Sequence, residues 1–212
     1  MKLKKFEGLL NEIELLKKPK LYLEQYNTSS HIVAQIINTI HTRFDNFDNK
    51  LIGDFGTGSG IFLIAASLIA NCKCVGFDID EDALQVASDN ISEFNMNDKI
   101  DLIKADVTML DATLNIQRKP FDIIVMNPPF GTKNNKGLDM KFLSVACKLA
   151  SRVYSLHKTS TREHIIKFAQ QNGLKIKILS QIQFDIPSSY EFHRQDSVDI
   201  EVDFIRVWNR NQ

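Results

Sequence analysis

Short apolar runs alternate along the chain with segments whose apolar residues recur every three or four positions. The short or alternating runs predict β-strands, which cover 51–55, 73–80, 99–107, 121–130, 152–158, 174–184 and 198–208. The three-and-four spacing predicts amphipathic helices, which cover 3–16, 30–44, 61–70, 82–94, 141–150 and 161–171.

The order of these elements indicates the fold class. Strands and helices alternate from residue 51 to residue 171, and two strands follow each other at the end. This alternation is typical of a doubly wound α/β sheet, in which helices connect parallel strands. The 212 residues show no repeat and no linker-like stretch, and domains usually contain roughly 100–200 residues. We therefore expect one α/β domain over 1–212.

Composition excludes several function classes. The chain has 26 basic and 26 acidic side chains and a formal net charge of zero, so it does not coat nucleic acid by overall charge alone. No apolar run approaches the roughly 18–20 residues that cross a bilayer, and no signal peptide is recognisable. We expect an intracellular, soluble protein with no membrane association, whose three cysteines are free thiols.

A glycine-rich turn follows the first predicted strand. In DFGTGSG (54–60), Gly56, Gly58 and Gly60 let the backbone approach a ligand closely, and the next helix presents its N–H groups there. Position 61 is isoleucine, where a dinucleotide-binding turn has glycine, so NAD binding is disfavoured. Taken alone, the turn is a weak signal.

Acidic residues stand at the ends of the next two predicted strands. Asp78 can accept hydrogen bonds from both hydroxyls of a ribose, although capping of the following helix explains an acid here as well. Asp106 can accept an adenine amino hydrogen, and the backbone of Val107 can reach the ring. Because parallel strands end at the same edge of a sheet, we expect the turn and these residues to meet around one ligand.

The most specific signal is Asn127-Pro128-Pro129-Phe130, at the end of the fourth predicted strand. The exocyclic amine of a base is a poor nucleophile, because its lone pair is delocalised into the ring. The Asn127 side-chain oxygen and the Pro128 carbonyl can accept its two hydrogens and favour its attack. The prolines stiffen the loop and remove N–H donors, and Phe130 offers a face for stacking. We predict all four as catalytic residues.

These motifs carry a family resemblance. Amino-methyltransferases that use S-adenosylmethionine have motifs similar to DFGTGSG (54–60), FDIDEDAL (77–84) and MNPPFGTKNNKG (126–137). The chain closely resembles the methyltransferase-like protein 5 family in these motifs and in LYLEQYNTSSHIVAQ (21–35), VYSLHKTSTREH (153–164) and SVDIEVDFIRV (197–207). The resemblance implies a seven-stranded, doubly wound Rossmann-like methyltransferase sheet whose last strand is antiparallel. Residues 1–45 would form a helical cap over the cofactor site, and 46–212 the catalytic core.

The resemblance also implies an activity and partners. That family forms N6-methyladenosine at a single site in small-subunit (18S) ribosomal RNA, as a heterodimer with a small zinc-binding activator. S-adenosyl-L-methionine would be the cofactor and S-adenosyl-L-homocysteine the product, with no metal in this chain. The predicted edge strand 99–106 could pair with a strand of the activator. We would then expect the protein in the nucleus, including the nucleolus, and in the cytoplasm.

Cofactor-binding residues follow from the resemblance position by position. The segment that would close over the cofactor contains Gln25, Tyr26 and Thr28. Gly56, Gly58 and Ser59 would hold the methionine end. Asp78 would hold the ribose, and Asp106 with Val107 would hold the adenine. Asn127 would border both cofactor and target base. Family members often have cysteine where this chain has Thr57 and Ser59, a change that leaves backbone contacts intact.

Two other functions remain open. Loops of the form N-P-P-aromatic also hold side-chain amides in protein-glutamine N5-methyltransferases. Phe130, where those enzymes typically have tyrosine, and an excess of basic residues over 131–195 favour RNA, although a solvated lysine surface explains the basic residues equally well. A non-catalytic ribosome-assembly factor could also keep the cofactor fold, but the intact Asn127 argues against it.

The five histidines have no metal-ligand spacing, so the sequence predicts no metal site. His157 and Lys158 stand at the end of a predicted strand beside the catalytic loop. They could contact RNA, and a buried structural histidine is an equally good interpretation of His157.

Overall fold

One seven-stranded sheet runs through the protein in the strand order β3-β2-β1-β4-β5-β7-β6. The computed structural model describes residues 1–113, 119–131, 135–187 and 197–209. The strands are β1 (Leu51–Phe55), β2 (Lys73–Asp78), β3 (Ile100–Lys104), β4 (Phe121–Met126), β5 (Ala150–Lys158), β6 (Leu174–Pro187) and β7 (Ser197–Asn209). β1 to β5 are parallel, and β7 lies antiparallel between β5 and β6. The predicted sheet, with its antiparallel last strand, is confirmed.

Helices cover both faces of this sheet. They are α1 (Leu3–Leu10), α2 (Ser30–Thr39), α3 (Ile61–Ile69), α4 (Glu81–Glu93), α5 (Leu110–Thr113), α6 (Leu138–Leu149) and α7 (Arg162–Gln171). α2 begins at the N-cap Ser29, whose hydroxyl accepts a hydrogen bond from Ile32 N, and it continues into a π-helical turn, Ile40–Phe44. Within the described ranges, no helix is long and apolar enough to span a membrane.

Several predicted boundaries differ from the structure, and three of them have consequences here. The first helix ends at Leu10 and not at residue 16, because side chains of Asn90 and Asn27 bind the backbone of Glu14 and Leu16 in place of helical hydrogen bonds. β4 ends at Met126, since the prolines that follow have no N–H for the ladder. α6 begins three residues earlier than predicted. The turn-rich segment predicted before β7 lies partly in 188–196, outside the described residues.

Two apolar layers pack against the sheet. On one face, α1, α2 and α3 contribute Phe6, Val33, Ile37 and Ile64 to a buried cluster. On the other face, side chains of α6 and α7 belong to a second buried cluster that includes Phe55, Phe77 and Phe121, whose rings meet edge to face with centroids 5.4–6.2 Å apart. α3 is apolar on every side because it is buried almost completely, which explains why its sequence shows little amphipathic pattern.

A buried ionic cluster fixes the end of the N-terminal cap to the sheet. Asp45, directly after the π-helical turn, forms an ion pair with Arg152 Nε at 2.8 Å and accepts a hydrogen bond from an Arg206 guanidinium nitrogen at 2.9 Å. The hydroxyl of Tyr154 also donates to Asp45. Burial, together with Asp45, raises the pKa of Tyr154 well above its usual value. One carboxylate therefore joins the cap to β5 and β7.

We expect Asp45→Ala to lower the free energy of unfolding by ~2–3 kcal/mol, because two arginines would lose their common partner in a poorly solvated site. Urea denaturation measures this change. Asp89→Ala, on the exposed side of α4, is the matched control and should change stability by less than ~0.5 kcal/mol. Equal effects of the two substitutions would show that the cluster does not hold the cap.

Candidate active site

A cavity of about 250 Å³ opens at the carboxyl ends of the parallel strands, beneath residues 22–28 of the cap. Eleven of the thirteen predicted site residues line it: Gln25, Tyr26, Thr28, Gly56, Gly58, Ser59, Asp78, Asp106, Val107, Asn127 and Pro129. Pro128 and Phe130 are not in its wall. The fold therefore brings together residues that lie up to about a hundred positions apart in the sequence.

The glycine turn forms the floor of the cavity. Gly56 and Gly58 have φ angles of +78° and +54°, a left-handed conformation that favours glycine. The backbone N–H groups of Gly56 and Thr57 bind the Phe77 carbonyl oxygen at 2.8 and 3.0 Å. A Cβ atom at Gly58 would meet no atom within 4 Å, so the backbone here is open to a ligand.

A fully buried acid supports the turn from below. Asp54 is 1% exposed, and its Oδ2 accepts a hydrogen bond from Thr57 Oγ1 at 2.8 Å. Its Oδ1 is buried with no hydrogen-bond partner among the described residues. Burial raises the pKa of Asp54 to about 7, and the charge of Asp78 acts in the same direction.

Asp78 forms the next part of the wall. Its two carboxylate oxygens accept hydrogen bonds from the backbone N–H groups of Gly58 (2.9 Å) and Asp80 (3.0 Å). Burial raises the pKa of Asp78, although these N–H groups act in the opposite direction. The helix N-cap itself is Asp80, which accepts from Asp82 N. Asp78 thus has a position on the cavity wall, with lone pairs left for ligand hydroxyl groups.

Asp106 and Val107 follow β3 and complete this side of the cavity. Asp106 caps a short 3₁₀ turn, because its Oδ1 accepts from both the backbone N–H (2.8 Å) and the hydroxyl (2.7 Å) of Thr108. The capping fixes the carboxylate at the cavity mouth. Val107 is buried beneath it and offers an apolar surface to a flat ring.

Asn127 stands where β4 ends. Its Nδ2 donates a hydrogen bond to Thr28 Oγ1 at 3.0 Å, so the cap sets the orientation of the amide. Its Oδ1 is buried and has no hydrogen-bond partner in the described part of the chain. A buried acceptor without a partner is costly. This one would be satisfied by a ligand N–H group that reached it.

Phe130 lies deeper than the stacking prediction expects. It is 4% exposed, its ring is stacked on Tyr26 (centroids 6.3 Å apart, planes at 19°), and it meets Phe184 edge to face. Its stacking on a target base stays a prediction that requires Tyr26 to move away. In this structure Tyr26 lies in the cavity wall, together with the aromatic residues Tyr22, Phe62 and Phe142.

The cap is tied to the core by contacts that sequence patterns do not reveal. Lys20 Nζ binds Asp80 at 2.6 Å and Asp82 at 2.7 Å, and Gln25 Nε2 donates to Asp80 at 2.7 Å. On the other side, Asn135 Nδ2 donates to the Tyr22 carbonyl and to Glu24, both at 3.0 Å. These partners are 55 to 113 positions apart in the chain, and no local signal marks them.

The structure favours the structural interpretation of His157. Its side chain has no exposed surface and binds Ser155 Oγ at 2.9 Å and Asp139 Oδ2 at 3.4 Å. All three residues are buried behind the catalytic loop. His157 is therefore a buried structural residue and not an RNA contact in this arrangement. No group of three or more metal-binding side chains occurs among the residues with described positions.

The sheet order, with its antiparallel β7, and a cavity at the carboxyl ends of the strands are those of a Rossmann-like methyltransferase fold. Residues 27–128 match the model of the ribosomal protein L11 methyltransferase (PrmA) family. The crystal structure of PH1948 from Pyrococcus horikoshii superposes with a TM-score of 0.84 and 27% identity, covering 99% of this chain and 98% of that one.

Full-length relatives define the family more closely. The rRNA N(6)-adenosine-methyltransferase METTL5 of Danio rerio is 47% identical over 207 residues, covering 97% of this chain and 98% of the relative. Mettl5 of Drosophila melanogaster is 42% identical, covering 97% of this chain and 96% of the relative. The chain belongs to the METTL5 family of rRNA N(6)-adenosine-methyltransferases, which confirms the predicted resemblance.

The buried Asp54 predicts a dependence of stability on pH. The unfolded chain ionises Asp54 near its ordinary pKa of 3.8 and the folded chain near 7, so folding takes up a proton between these values. The contribution of protonated Asp54 to the stability of the folded state is complete below about pH 4 and is lost as the pH rises through 7. Asn at this position cannot ionise.

We therefore expect the stability of the wild type relative to Asp54→Asn to fall by about 2–4 kcal/mol between pH 4 and pH 8, at ~1.4 kcal/mol for each pKa unit. Urea denaturation of both proteins across this range measures the difference and cancels the other titrating groups. A difference that does not change with pH would mean that Asp54 ionises normally.

Proposed function

We propose that this chain transfers a methyl group from S-adenosyl-L-methionine to N6 of one adenosine in small-subunit (18S) ribosomal RNA. The observation that carries the proposal is the buried, unpartnered Oδ1 of Asn127, held by Thr28 at the wall of the cavity. An acceptor in this position suits the amine of a base. The reaction named for the Danio rerio and Drosophila melanogaster relatives supports the same substrate.

The lining of the cavity suits the proposed cofactor. Asp78 offers carboxylate oxygens to ribose hydroxyls, Asp106 and Val107 offer an acceptor and an apolar surface to adenine, and the turn at Gly56 and Gly58 offers an open backbone to the methionine end. S-adenosylmethionine would supply an electrophilic methyl group attached to a positively charged sulfur.

Asn127 Oδ1 would act on the attacking amine together with the Pro128 carbonyl, which would have to approach the cavity because Pro128 does not line it in this structure. By accepting its two hydrogens, they favour a pyramidal nitrogen whose lone pair is directed away from the ring. The nitrogen then forms its bond to the methyl carbon as the carbon–sulfur bond breaks, and the amine proton, now acidic, leaves to solvent. Since no nucleophilic side chain is needed, positioning can account for most of the rate.

A protein substrate is the alternative, and tritium transfer separates the two. The match to the L11 methyltransferase model ends at residue 128, inside the catalytic loop, and so does not extend to the substrate side. We expect tritium from labelled S-adenosylmethionine to enter purified ribosomal RNA and not ribosomal protein. Label in protein glutamine would support the alternative, and label in neither would support an assembly factor.

Asn127→Ala tests the mechanism directly. Loss of the acceptor should lower turnover by at least ~100-fold, whereas the dissociation constant of S-adenosylhomocysteine, measured by calorimetry, should change by less than about threefold. Asn95→Ala, in the loop after α4, is a control that should retain full turnover. Undiminished turnover by Asn127→Ala would contradict the proposed role of the amide.

The same proposal includes a small zinc-binding activator bound along β3. β3 is an edge strand, and an unpaired edge is a template for another strand. Ile103, on β3, is 44% exposed, and Ile79 and Met109 nearby are also exposed, which gives the edge an apolar border. We propose that activator and ribosomal RNA are encountered in the nucleus, including the nucleolus, and in the cytoplasm.

Hydrogen exchange tests the activator surface. We expect the backbone amides of 100–105 to exchange at least tenfold more slowly after the activator is added, because a partner strand would bind them. Amides of β6, the opposite edge of the sheet, serve as the internal control and should not change. Unchanged exchange at 100–105 in a complex that has formed would exclude pairing at β3.

A further inference from the structure

A second cavity, of about 400 Å³, lies between α2 and the edge strand β6. It is hereafter called the α2–β6 groove. Its floor is apolar and combines Ile32, Ile36 and Phe44 from the helix with Leu179, Ile182 and Phe204 from the sheet. A β-bulge between Ile178 and Ser180 shifts the register of β6 here and changes which side chains face the helix.

Polar side chains form the rim of this groove. Gln35, Thr39 and Arg43 follow each other at intervals of four on the helix, so they project from one face. Ser180 stands opposite, on β6, whereas Gln181, which also lines the groove, accepts a hydrogen bond through Oε1 from Arg162 on the other face of the sheet at 3.3 Å. The groove therefore combines an apolar floor with hydrogen-bonding groups along both borders.

The cations at this groove have no acidic partners within the described part of the chain. Arg43 and Lys177 are exposed, and neither lies within 4 Å of a carboxylate of the described residues. The Lys177 ammonium stands 5.6 Å from the centre of the Phe44 ring, which places it on the α2 side of β6. Lys175, two positions away, has the same orientation, because side chains alternate along a strand.

Acidic side chains near the groove are neutralised or turned away. Glu7 binds His31 at 3.1 Å. Asp203 lies on the face of β7 opposite Val202 and Phe204, where Arg162 binds it at 2.6 Å. Glu201 alternates to that same opposite face. Among the described residues, the potential at the groove is therefore set by unpaired cations.

Both walls of the groove lead to the catalytic loop. α2 follows directly on Thr28, which binds Asn127. β6 continues from Ile182 to Phe184, whose ring meets Phe130 at a centroid distance of 6.3 Å. The end of the groove that holds Ile32 and Ile182 is therefore the end nearer to the loop 127–130.

We propose that the α2–β6 groove binds a single-stranded segment of ribosomal RNA adjacent to the methylated adenosine. This inference rests on the proposed function and specifies the path of its substrate. Unstacked bases need an apolar surface and hydrogen-bonding groups for their edges, and phosphates need unpaired cations. The floor, the rim and the pair Arg43 and Lys177 supply these three features in one place. A protein helix would need the apolar floor but not the unpaired cations.

Charge reversal tests the groove. Arg43→Glu and Lys177→Glu should each raise KM for a ribosomal RNA fragment five- to tenfold, with kcat at saturating RNA and the dissociation constant of S-adenosylhomocysteine unchanged. The slope of log affinity against log salt concentration should decrease by about 0.7 for each phosphate that the variant no longer neutralises. Lys167→Glu, an equally exposed reversal on α7 at the opposite face of the sheet, should leave KM unchanged. Gln35→Lys adds a cation at the rim and should lower KM.

The outcomes separate this inference from the proposed function. A wild type that labels no RNA removes the proposed function itself. A wild type that labels RNA, with unchanged KM and salt dependence in both groove variants, overturns the groove alone. An equal rise of KM for Lys167→Glu would show a nonspecific charge effect and would also overturn it. The inference would also be overturned if the groove variants lost binding of the activator and kept their affinity for RNA.

Discussion

The hydrogen bond from Asn127 Nδ2 to Thr28 Oγ1 joins the catalytic loop to the N-terminal cap, and both candidate surfaces depend on it. Because this bond occupies the Nδ2 group of the amide, Oδ1 is the acceptor that remains at the cavity wall. The same bond also fixes the residue just before Ser29, the N-cap of α2. The position of α2, and with it one wall of the α2–β6 groove, is therefore linked to the orientation of the Asn127 amide.

The cap combines weak and strong attachments. The contacts of Lys20 with Asp80 and Asp82 are partly exposed, and exposed ion pairs contribute little to stability. At its other end, Asp45 is bound by two arginines and a tyrosine in a mostly buried cluster. Local opening is easiest where attachments are weakest. Residues 20–26 are therefore attached less firmly than the segment that begins at Thr28, and Tyr26, whose ring is stacked on Phe130, lies among them.

Much of the architecture could be predicted because the responsible forces are local. Short apolar strands, helical spacing and a glycine turn indicated the correct order of elements, and all seven strands lie where their patterns indicate. The errors occurred where distant groups compete with local preference. Residues 11–16 have helical spacing, yet Asn90 and Asn27 bind their backbone. No local pattern can reveal a partner that lies 76 positions away.

The sequence by itself determined the fold class and the kinds of chemical group at the site, because these depend on properties of single residues. Examples are the backbone conformation that glycine permits at Gly56 and Gly58 and the missing N–H groups of Pro128 and Pro129. Only the tertiary structure decided which partners these residues meet. It placed Thr28 against Asn127, buried Phe130 between Tyr26 and Phe184, and aligned the cations of the groove along α2 and β6. The physical reason is that hydrogen bonds, burial and charge act over a few ångströms in space, and only the folded chain brings such residues that close.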